Sequence, residues 1–148
     1  MYKNMLIATD GSELASKGVT QGLALAEKLG AKVTVLSVVE PLAPEAIQAA
    51  ISSGLEDPVI RYDQQIDASM KKRYAAIEQE AAQYGIAVDT LHEIDEFPAE
   101  AIVRFAETNA CDLIVMASHG RRGIRKILLG SQTAEVLVKT TIPVLVIR

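Results

Sequence analysis

Short apolar runs alternate with longer amphipathic segments along the whole chain. Apolar runs of four to eight residues bounded by turn residues are typical of buried strands. Several of the runs are continuously apolar rather than alternating, so both faces of the predicted sheet are expected to be covered. The five predicted strands are 5–9, 32–39, 87–94, 113–117 and 143–147.

The segments between the predicted strands carry apolar residues at helical spacing. In the first segment, Ser12 is placed to cap the helix N-terminus and Gly30 to end the helix. Pro98 suits the first turn of a later helix. Strands that alternate with helices predict an α/β fold with a mostly parallel, doubly wound sheet. The predicted helices cover 12–29, 46–51, 59–84, a segment from 98 onward, and 131–140.

Composition narrows the class of protein. The 148 residues suit one domain covering 1–148, and an apolar share of 49% excludes general disorder. The formal net charge of −4 argues against binding to nucleic acid or to an anionic membrane. No apolar run approaches the ~20 residues that span a bilayer. The single cysteine, Cys111, and an N-terminus without a signal-peptide pattern predict a cytoplasmic protein.

The most informative motif follows the fourth predicted strand. Ala117-Ser118-His119-Gly120 directly follows the apolar run, and after nine further residues Gly130-Ser131 opens the last predicted helix. Unpaired amides at a helix N-terminus and the positive end of the helix dipole form an anion site. Because glycine has no side chain, it lets a ligand oxygen reach these amides. The motif therefore predicts a turn that binds phosphate.

A second candidate lies at the end of the first predicted strand, where Thr9 and Asp10 precede Gly11. In an open parallel sheet, ligands bind beyond the carboxyl ends of the strands, where the strand order reverses. If the first and fourth strands are neighbours at that point, Asp10 shares a crevice with the Gly120 turn. A carboxylate beside a phosphate-binding turn suits the ribose hydroxyls and the phosphates of a nucleotide.

Each of these features also has an interpretation without a ligand. Asp10-Gly11 and Gly120 can be ordinary turns, and Gly130-Ser131 can be simply the start of a helix with serine as its N-cap. It is the joint spacing, rather than any single member, that favours the phosphate interpretation.

The loop between the two glycines is basic in an otherwise acidic chain. It either assists a polyphosphate or is only a solvated loop. His119 is interpreted as a loop residue near the ligand, because two isolated histidines without ligand spacing give no zinc motif. The basic residues are Arg121, Arg122, Arg125 and Lys126.

Over nearly all its length the chain resembles the universal stress protein family of the A type. Nucleotide-binding members of that family carry Gly-x2-Gly-x9-Gly-Ser/Thr. This chain matches the pattern at Gly120, Gly130 and Ser131 but has Ala117 at the first glycine. A methyl group that overpacks a rigid site costs about 1–3 kcal/mol, which weakens affinity without necessarily abolishing it. The matching segments are 5–12, 33–39, 112–120, 127–131 and 143–146.

The resemblance implies a five-stranded parallel sheet of order 3-2-1-4-5 with helices on both faces, the adenine nucleotide alpha hydrolase-like type. It implies ATP or AMP with its phosphates on the glycine turns and its adenine against the backbone of Val38. The ribose, or a phosphate-bound Mg2+ or Mn2+, would lie near Asp10, and no metal site intrinsic to the protein is expected. The residues expected at the nucleotide are Thr9, Asp10, Val38, Ala117, Ser118, His119, Gly120, Arg121, Arg122, Gly130, Ser131, Gln132 and Thr133.

In that strand order the fifth strand lies at an edge of the sheet. An uninterrupted apolar edge invites pairing, and two copies joined through it about a twofold axis would bury it. The resemblance implies the same homodimer. The third strand, at the other edge, carries polar residues, among them His92, which is predicted to face solvent. The predicted dimer interface is Val144, Leu145, Val146 and Ile147.

The sequence lacks the motifs of several enzyme classes, including the P-loop, the dinucleotide-binding glycine repeat, the nucleophile elbow and His-Glu-x-x-His. Any ATP hydrolysis is therefore expected to be slow and incidental. The favoured function is a nucleotide-binding stress or signalling dimer with unidentified protein partners. The alternatives are a nucleotide-free dimeric interaction module, which Ala117 favours, and a slow nucleotide hydrolase.

Overall fold

A computed structural model describes residues 1–121 and 129–148. Strands and helices alternate in it as the sequence predicts. The strands are β1 (Asn4–Ala8), β2 (Lys32–Val39), β3 (Val88–Ile94), β4 (Leu113–Ala117) and β5 (Val144–Ile147). The helices are α1 (Glu13–Leu29), α2 (Pro44–Ser52), α3 (Pro58–Gln83), α4 (Pro98–Thr108) and α5 (Ser131–Lys139).

The described strands form a five-stranded sheet in the order β3-β2-β1-β4-β5, with parallel pairing throughout. This confirms the predicted topology. In register, Ile7 of β1 lies between Val35 of β2 and Val115 of β4. The chain moves outward in one direction from β1 to β3 and in the other from β4 to β5. The strand order therefore reverses between β1 and β4, where ligand crevices lie in sheets of this type.

Alternate residues of each strand pack on opposite faces of the sheet. On one face, Ile7, Val35 and Val115 pack with apolar residues of α1 and α3. On the other face, Leu6 and Ile114 pack with apolar residues of α4 and α5. Because both faces are covered, the strands are continuously apolar rather than alternating.

The two predicted caps of α1 are confirmed. Ser12 Oγ accepts a hydrogen bond from Ala15 N at 3.2 Å, which satisfies an amide that has no partner within the helix. Gly30 ends the helix with a left-handed φ of 62°, and its amide bonds back to the last helical turn.

Other helix boundaries differ from the prediction. Helix α2 begins at Pro44 rather than at 46, and α3 begins at Pro58, because proline suits a first turn whose N–H has no helical acceptor. Helix α5, by contrast, begins at Ser131 as predicted, and its N-cap is Gly130 rather than the serine of the interpretation without a ligand. The backbone of Gly130 is extended (φ −70°, ψ 155°), so Ser131 is the first helical residue.

Candidate functional site

Asp10 joins the loops that follow β1 and β4. One carboxylate oxygen accepts a hydrogen bond from Ser12 N and the other from Arg121 N, both at 2.9 Å. Burial raises the pKa of Asp10, but hydrogen bonding to the Ser12 side chain, the two amide hydrogen bonds and the positive charge of Arg121 outweigh burial, so the pKa lies below its ordinary value. Asp10 is therefore ionised at neutral pH and holds the β4 loop against the start of α1.

Gly120 has no room for a side chain. A Cβ at this position would collide with the Oδ2 atom of Asp10, the oxygen that accepts the Arg121 amide. The φ of Gly120 does not lie in the left-handed region. The close approach of the two loops, rather than a special backbone conformation, therefore requires glycine here.

Gly130 packs against the backbone of the same β4 loop. Its amide donates to the carbonyl of Ser118 at 2.6 Å, and a Cβ on Gly130 would lie 3.0 Å from the Cα of His119. These contacts draw the β4 loop onto the N-terminus of α5. Since the Gly130 amide already donates to Ser118, Gly130 can contribute to a ligand site only through its lack of a side chain.

The first turn of α5 contains backbone amides that lack partners. The first intrahelical bond runs from Ala134 N to Gly130 O at 2.9 Å, and the N-cap supplies no side-chain oxygen. Within residues 1–121 and 129–148, the amides of Ser131, Gln132 and Thr133 have no hydrogen-bond acceptor. Such donors at the positive end of a helix attract an anion.

The side chains of Gln132 and Thr133 hold α5 in place. Thr133 Oγ1 donates to the carbonyl of Ala117 at 2.7 Å, and Gln132 Oε1 accepts from Ala99 N at 3.0 Å. Both residues are predicted to lie at the phosphates. Because their side chains fix α5 to β4 and α4, their contribution to a ligand would come from the backbone amides.

The other predicted residues lie near the same crevice. Thr9 is buried, and its Oγ1 accepts Gly11 N at 3.2 Å. Ser118 is buried, with its hydroxyl oxygen 3.2 Å from Nδ1 of His119. Val38 is half-buried near the carboxyl end of β2. The predicted basic residues Arg122, Arg125 and Lys126 lie outside the described residues.

The methyl group of Ala117 lies on the face of the sheet opposite to α5. By strand alternation, Ala117 shares a face of β4 with Leu113 and Val115, which pack toward α1 and α3. Helix α1 passes close by, since a Cβ on Gly18 would lie 3.9 Å from Ala117 N. Val136 of α5 packs on the other face. The side chain of Ala117 therefore does not point toward the first turn of α5.

A charged residue that the sequence does not predict, Arg73, also lies at this crevice. Arg73 of α3 reaches the carboxyl ends of β1 and β2, where its guanidinium packs against Gly11 and its Nη1 lies 3.5 Å from Ser37 Oγ. Burial lowers the pKa of Arg73, and the nearby charge of Arg121 lowers it further. The available signal is positional, because Arg73 lies one helical turn after Met70, within the apolar stripe of α3.

His92, which is predicted to face solvent, is only partly exposed. Helix α3 covers this part of β3, so the imidazole is only 25% exposed, with Nε2 3.1 Å from Asp67 Oδ1 and the ring beside Tyr74. His92 pairs in register with Ser37 of β2. Polar groups therefore extend along the sheet under α3, toward the end of β1.

The outer edge of β5 carries backbone groups that remain available for pairing. The carbonyl of Pro143 accepts a hydrogen bond from Ile114 of β4, and that of Ile147 accepts one from Ser118, just after β4. Since backbone groups alternate in direction along a strand, Val144 and Val146 direct theirs to the outer edge. Across the described part of the chain, no strand pairs with that edge.

Two general features bear on the class of ligand. No helix within the described ranges is long and apolar enough to cross a membrane. In the same residues, no group of three or more histidine, cysteine, aspartate or glutamate side chains is arranged to hold a metal ion.

The sheet order defines a doubly wound α/β protein with five parallel strands, a class in which ligands generally bind at the carboxyl ends of the strands. Comparison with known proteins gives the family. The Universal stress protein family matches residues 1–148. The chain therefore belongs to the universal stress protein family.

Individual relatives agree with this assignment. Universal stress protein MJ0531 of Methanocaldococcus jannaschii is 30% identical over 148 residues, covering 100% of this chain and 83% of that protein. The solved structure of MJ0577, from the same organism, superposes with a TM-score of 0.82 at 29% identity, covering 99% of this chain and 96% of that chain.

Two structures of more distant family members share the fold and contain nucleotides. One is a universal stress protein in complex with cAMP, with a TM-score of 0.70 and 21% identity, covering 99% of this chain and 97% of that chain. The other is the universal stress protein from Archaeoglobus fulgidus in complex with dAMP, with a TM-score of 0.66 and 20% identity, covering 99% and 98%.

Proposed function

We propose that this chain binds an adenine nucleotide, ATP or AMP, between the carboxyl ends of β1 and β4, and acts as a homodimer in stress response or signalling. The observation that carries the proposal is the set of amides at Ser131, Gln132 and Thr133, which lack partners within the described residues. Family membership supports it, as do the related structures that contain cAMP and dAMP.

The phosphates would bind at the N-terminus of α5. Amide donors there need no rearrangement to accept an anion, and the helix dipole adds to the attraction. Arg121 contributes positive charge, since its amide is fixed to Asp10 beside the crevice. Gly130 contributes the space that a phosphate oxygen needs to reach the backbone.

Asp10 would receive the ribose hydroxyls. Each of its oxygens accepts one amide and retains a further lone pair, so a hydroxyl donor can still bind. The backbone of Val38 would contact adenine. A Mg2+ or Mn2+ ion bound to the phosphate oxygens would lie near Asp10 and take its other ligands from water.

Ala117 does not oppose this arrangement. The methyl group that replaces the family's glycine hydrogen lies on the α1 side of the sheet, away from the amides of α5. The steric cost expected from the sequence therefore falls on packing against α1 rather than on phosphate binding.

Ser131→Pro tests the amides directly. Proline suits the first helical position, where it removes an N–H without an intramolecular partner, and the extended backbone of Gly130 is compatible with a following proline. We expect the variant to fold normally and to bind ATP about tenfold more weakly, because a hydrogen bond to a charged acceptor contributes about 1.5–3 kcal/mol. Calorimetric titration measures the affinity.

Ser131→Ala is the matched control, since it removes the hydroxyl and keeps the amide. Equal losses in the two variants would assign the effect to the hydroxyl. Unchanged ATP affinity in Ser131→Pro would contradict phosphate binding by this amide.

A nucleotide-free dimeric module is the second candidate, because Asp10 and the Gly130 amide are already satisfied within the chain. It becomes the function if the protein releases no adenine nucleotide on denaturation and shows no ATP-induced thermal shift. Saturation at 100 times Kd should stabilise the folded state by about 2.7 kcal/mol, a readily measured shift. Phosphate release from ATP no faster than in buffer would dismiss the third candidate, a slow hydrolase.

A further inference from the structure

Arg73 places a charge on the buried side of α3. The buried residues of this helix include Met70, Tyr74 and Ile77, and Arg73 lies among them, half-buried. An arginine in such a stripe can cover apolar surface with its methylenes while its guanidinium reaches a polar region. Here the guanidinium reaches the turn between β1 and α1.

That turn has the shape to receive the guanidinium. Gly11 has a left-handed φ of 75°, and a Cβ there would collide with Nη2 and Cζ of Arg73. Glycine alone adopts this backbone without strain and leaves the space that the guanidinium fills. Arg73 therefore packs directly on the residue that follows Asp10.

Arg73 has only weak partners in the described part of the chain. Its side-chain hydrogen bonds run from Nη1 to Ser37 Oγ at 3.5 Å and to Met70 Sδ at 3.7 Å, both longer than a strong hydrogen bond. Glu80 borders a small cavity beside the guanidinium but makes no ion pair with Arg73, and its Oε1 accepts a hydrogen bond from Thr20.

The charges near Arg73 leave room for an anion. Arg121 is close enough for its positive charge to lower the pKa of Arg73. Asp10 partly offsets this repulsion, although both of its oxygens already accept amides. Two cationic side chains, those of Arg73 and Arg121, thus lie near the carboxylate of Asp10. A cavity of about 180 Å³ lies beside the guanidinium between α1 and α3, bordered by Thr9, Gly11 and Ser16 and, on the α3 side, by Glu80.

We infer that Arg73 binds a phosphate group of the nucleotide in the proposed site, an inference that rests on the proposed function. The planar guanidinium offers two parallel N–H donors, a geometry that matches two phosphate oxygens. The phosphate supplies the anionic partner that Arg73 lacks and reduces its repulsion with Arg121. Arg73 is therefore a binding residue contributed by α3, in addition to the loops after β1 and β4.

The test compares Arg73→Met with Lys72→Met. Lys72 is the exposed neighbour of Arg73 on α3, so its variant makes the same change in charge on the same helix. Calorimetric titrations at one ionic strength use three probes, which are ATP, adenosine and inorganic tripolyphosphate. Arg73→Met should weaken ATP and tripolyphosphate binding about tenfold or more and leave adenosine within about twofold. Lys72→Met should leave all three affinities within about twofold.

The outcomes separate this inference from the proposed function. If the natural chain binds ATP and Arg73→Met binds it equally well, the inference is overturned and the proposed function stands. An equal loss for adenosine and ATP also overturns it, because the role of Arg73 would then be structural. If tripolyphosphate binds only when Arg73 is present, and neither ATP nor adenosine binds, the phosphate site is supported and the nucleotide function is overturned.

Two further results complete the test. A natural chain that binds none of the three probes overturns both proposals. If Arg73→Met does not fold, Arg73→Lys replaces it, since lysine keeps the charge but loses the paired donors. Arg73→Lys should then bind ATP several-fold more weakly than the natural chain with adenosine unaffected, and equal ATP affinity would overturn the inference.

Discussion

At the scale of single residues, the crevice depends on a carboxylate that bridges two distant parts of the sequence. Asp10 accepts the amide of Arg121, 111 residues further along the chain, as well as that of Ser12. An asparagine at this position could accept one amide through its carbonyl oxygen but not a second one through its NH2 group. Asp10→Asn therefore loses one of the two hydrogen bonds and the charge that strengthens the other.

We expect Asp10→Asn to lower the free energy of unfolding by about 1 kcal/mol near neutral pH, a figure reduced for the partial exposure of Asp10. Because the pKa of Asp10 is lowered in the folded protein, the stabilising contribution is present above the ordinary value of 3.8. It is lost as the pH falls through the folded pKa. Denaturant titrations of both proteins across the acidic range measure this, and a stability difference that is independent of pH would contradict it.

Spacing in the sequence predicts which residues lie at the ends of elements, but not what lies opposite them. Asp10, Gly120 and Gly130 follow strands or precede a helix, so their proximity can be predicted once β1 and β4 are neighbours. Arg73 depends instead on how α3 lies over the sheet, where it meets Ser37, 36 residues away. A helical pattern shows that one face is buried, and only the tertiary structure supplies its neighbours.

At the scale of elements, α1 carries two glycines in different surroundings. A Cβ on Gly18 would meet its nearest atoms at 3.9 Å, an ordinary contact distance. A Cβ on Gly22 would lie 2.5 Å from Cδ1 and 3.1 Å from Cγ1 of Ile7, whose side chain is fully buried in the core. The close packing of α1 on β1 therefore depends on Gly22 much more than on Gly18.

Gly18→Ala should stabilise the protein by about 1 kcal/mol, because alanine is the better helix former. Gly22→Ala gains the same propensity but overpacks the core, at a cost of about 1–3 kcal/mol, so we expect a net loss of about 1 kcal/mol. Denaturant unfolding of the two variants side by side measures the difference. Equal stabilisation in both would mean that Ile7 moves aside freely.

Helix boundaries could be predicted where the residue type itself favours the cap. Ser12 and Gly30 are recognisable in the sequence, and both cap α1 as predicted. The start of α5 is different, because Gly130 becomes the N-cap through its extended backbone and its bond to Ser118. That conformation depends on the loop against which Gly130 packs, so residue type alone does not identify it.

At the scale of the whole molecule, the apolar pattern predicts a parallel sheet, but the family resemblance is what orders its strands. Buried strands of similar composition are interchangeable in a hydrophobic pattern, so the pattern alone leaves the order undetermined. The order matters for function because it makes β1 and β4 neighbours and leaves β5 at an edge. The crevice and the predicted dimer interface follow from the same topology.

Val146→Pro tests the predicted dimer without disturbing the sheet of one protomer. The N–H of Val146 is directed to the outer edge of β5, so proline there removes no bond to β4 and blocks pairing with a second copy. We expect light scattering at micromolar concentration to give twice the chain mass for the natural protein and a single chain mass for the variant.

Val146→Ala, which keeps the N–H, should remain dimeric. A monomeric natural protein would contradict the homodimer, and a dimeric Val146→Pro would place the interface elsewhere. Since the crevice lies between β1 and β4, the proline variant should still bind ATP, and that binding would also show that each protomer carries a complete site.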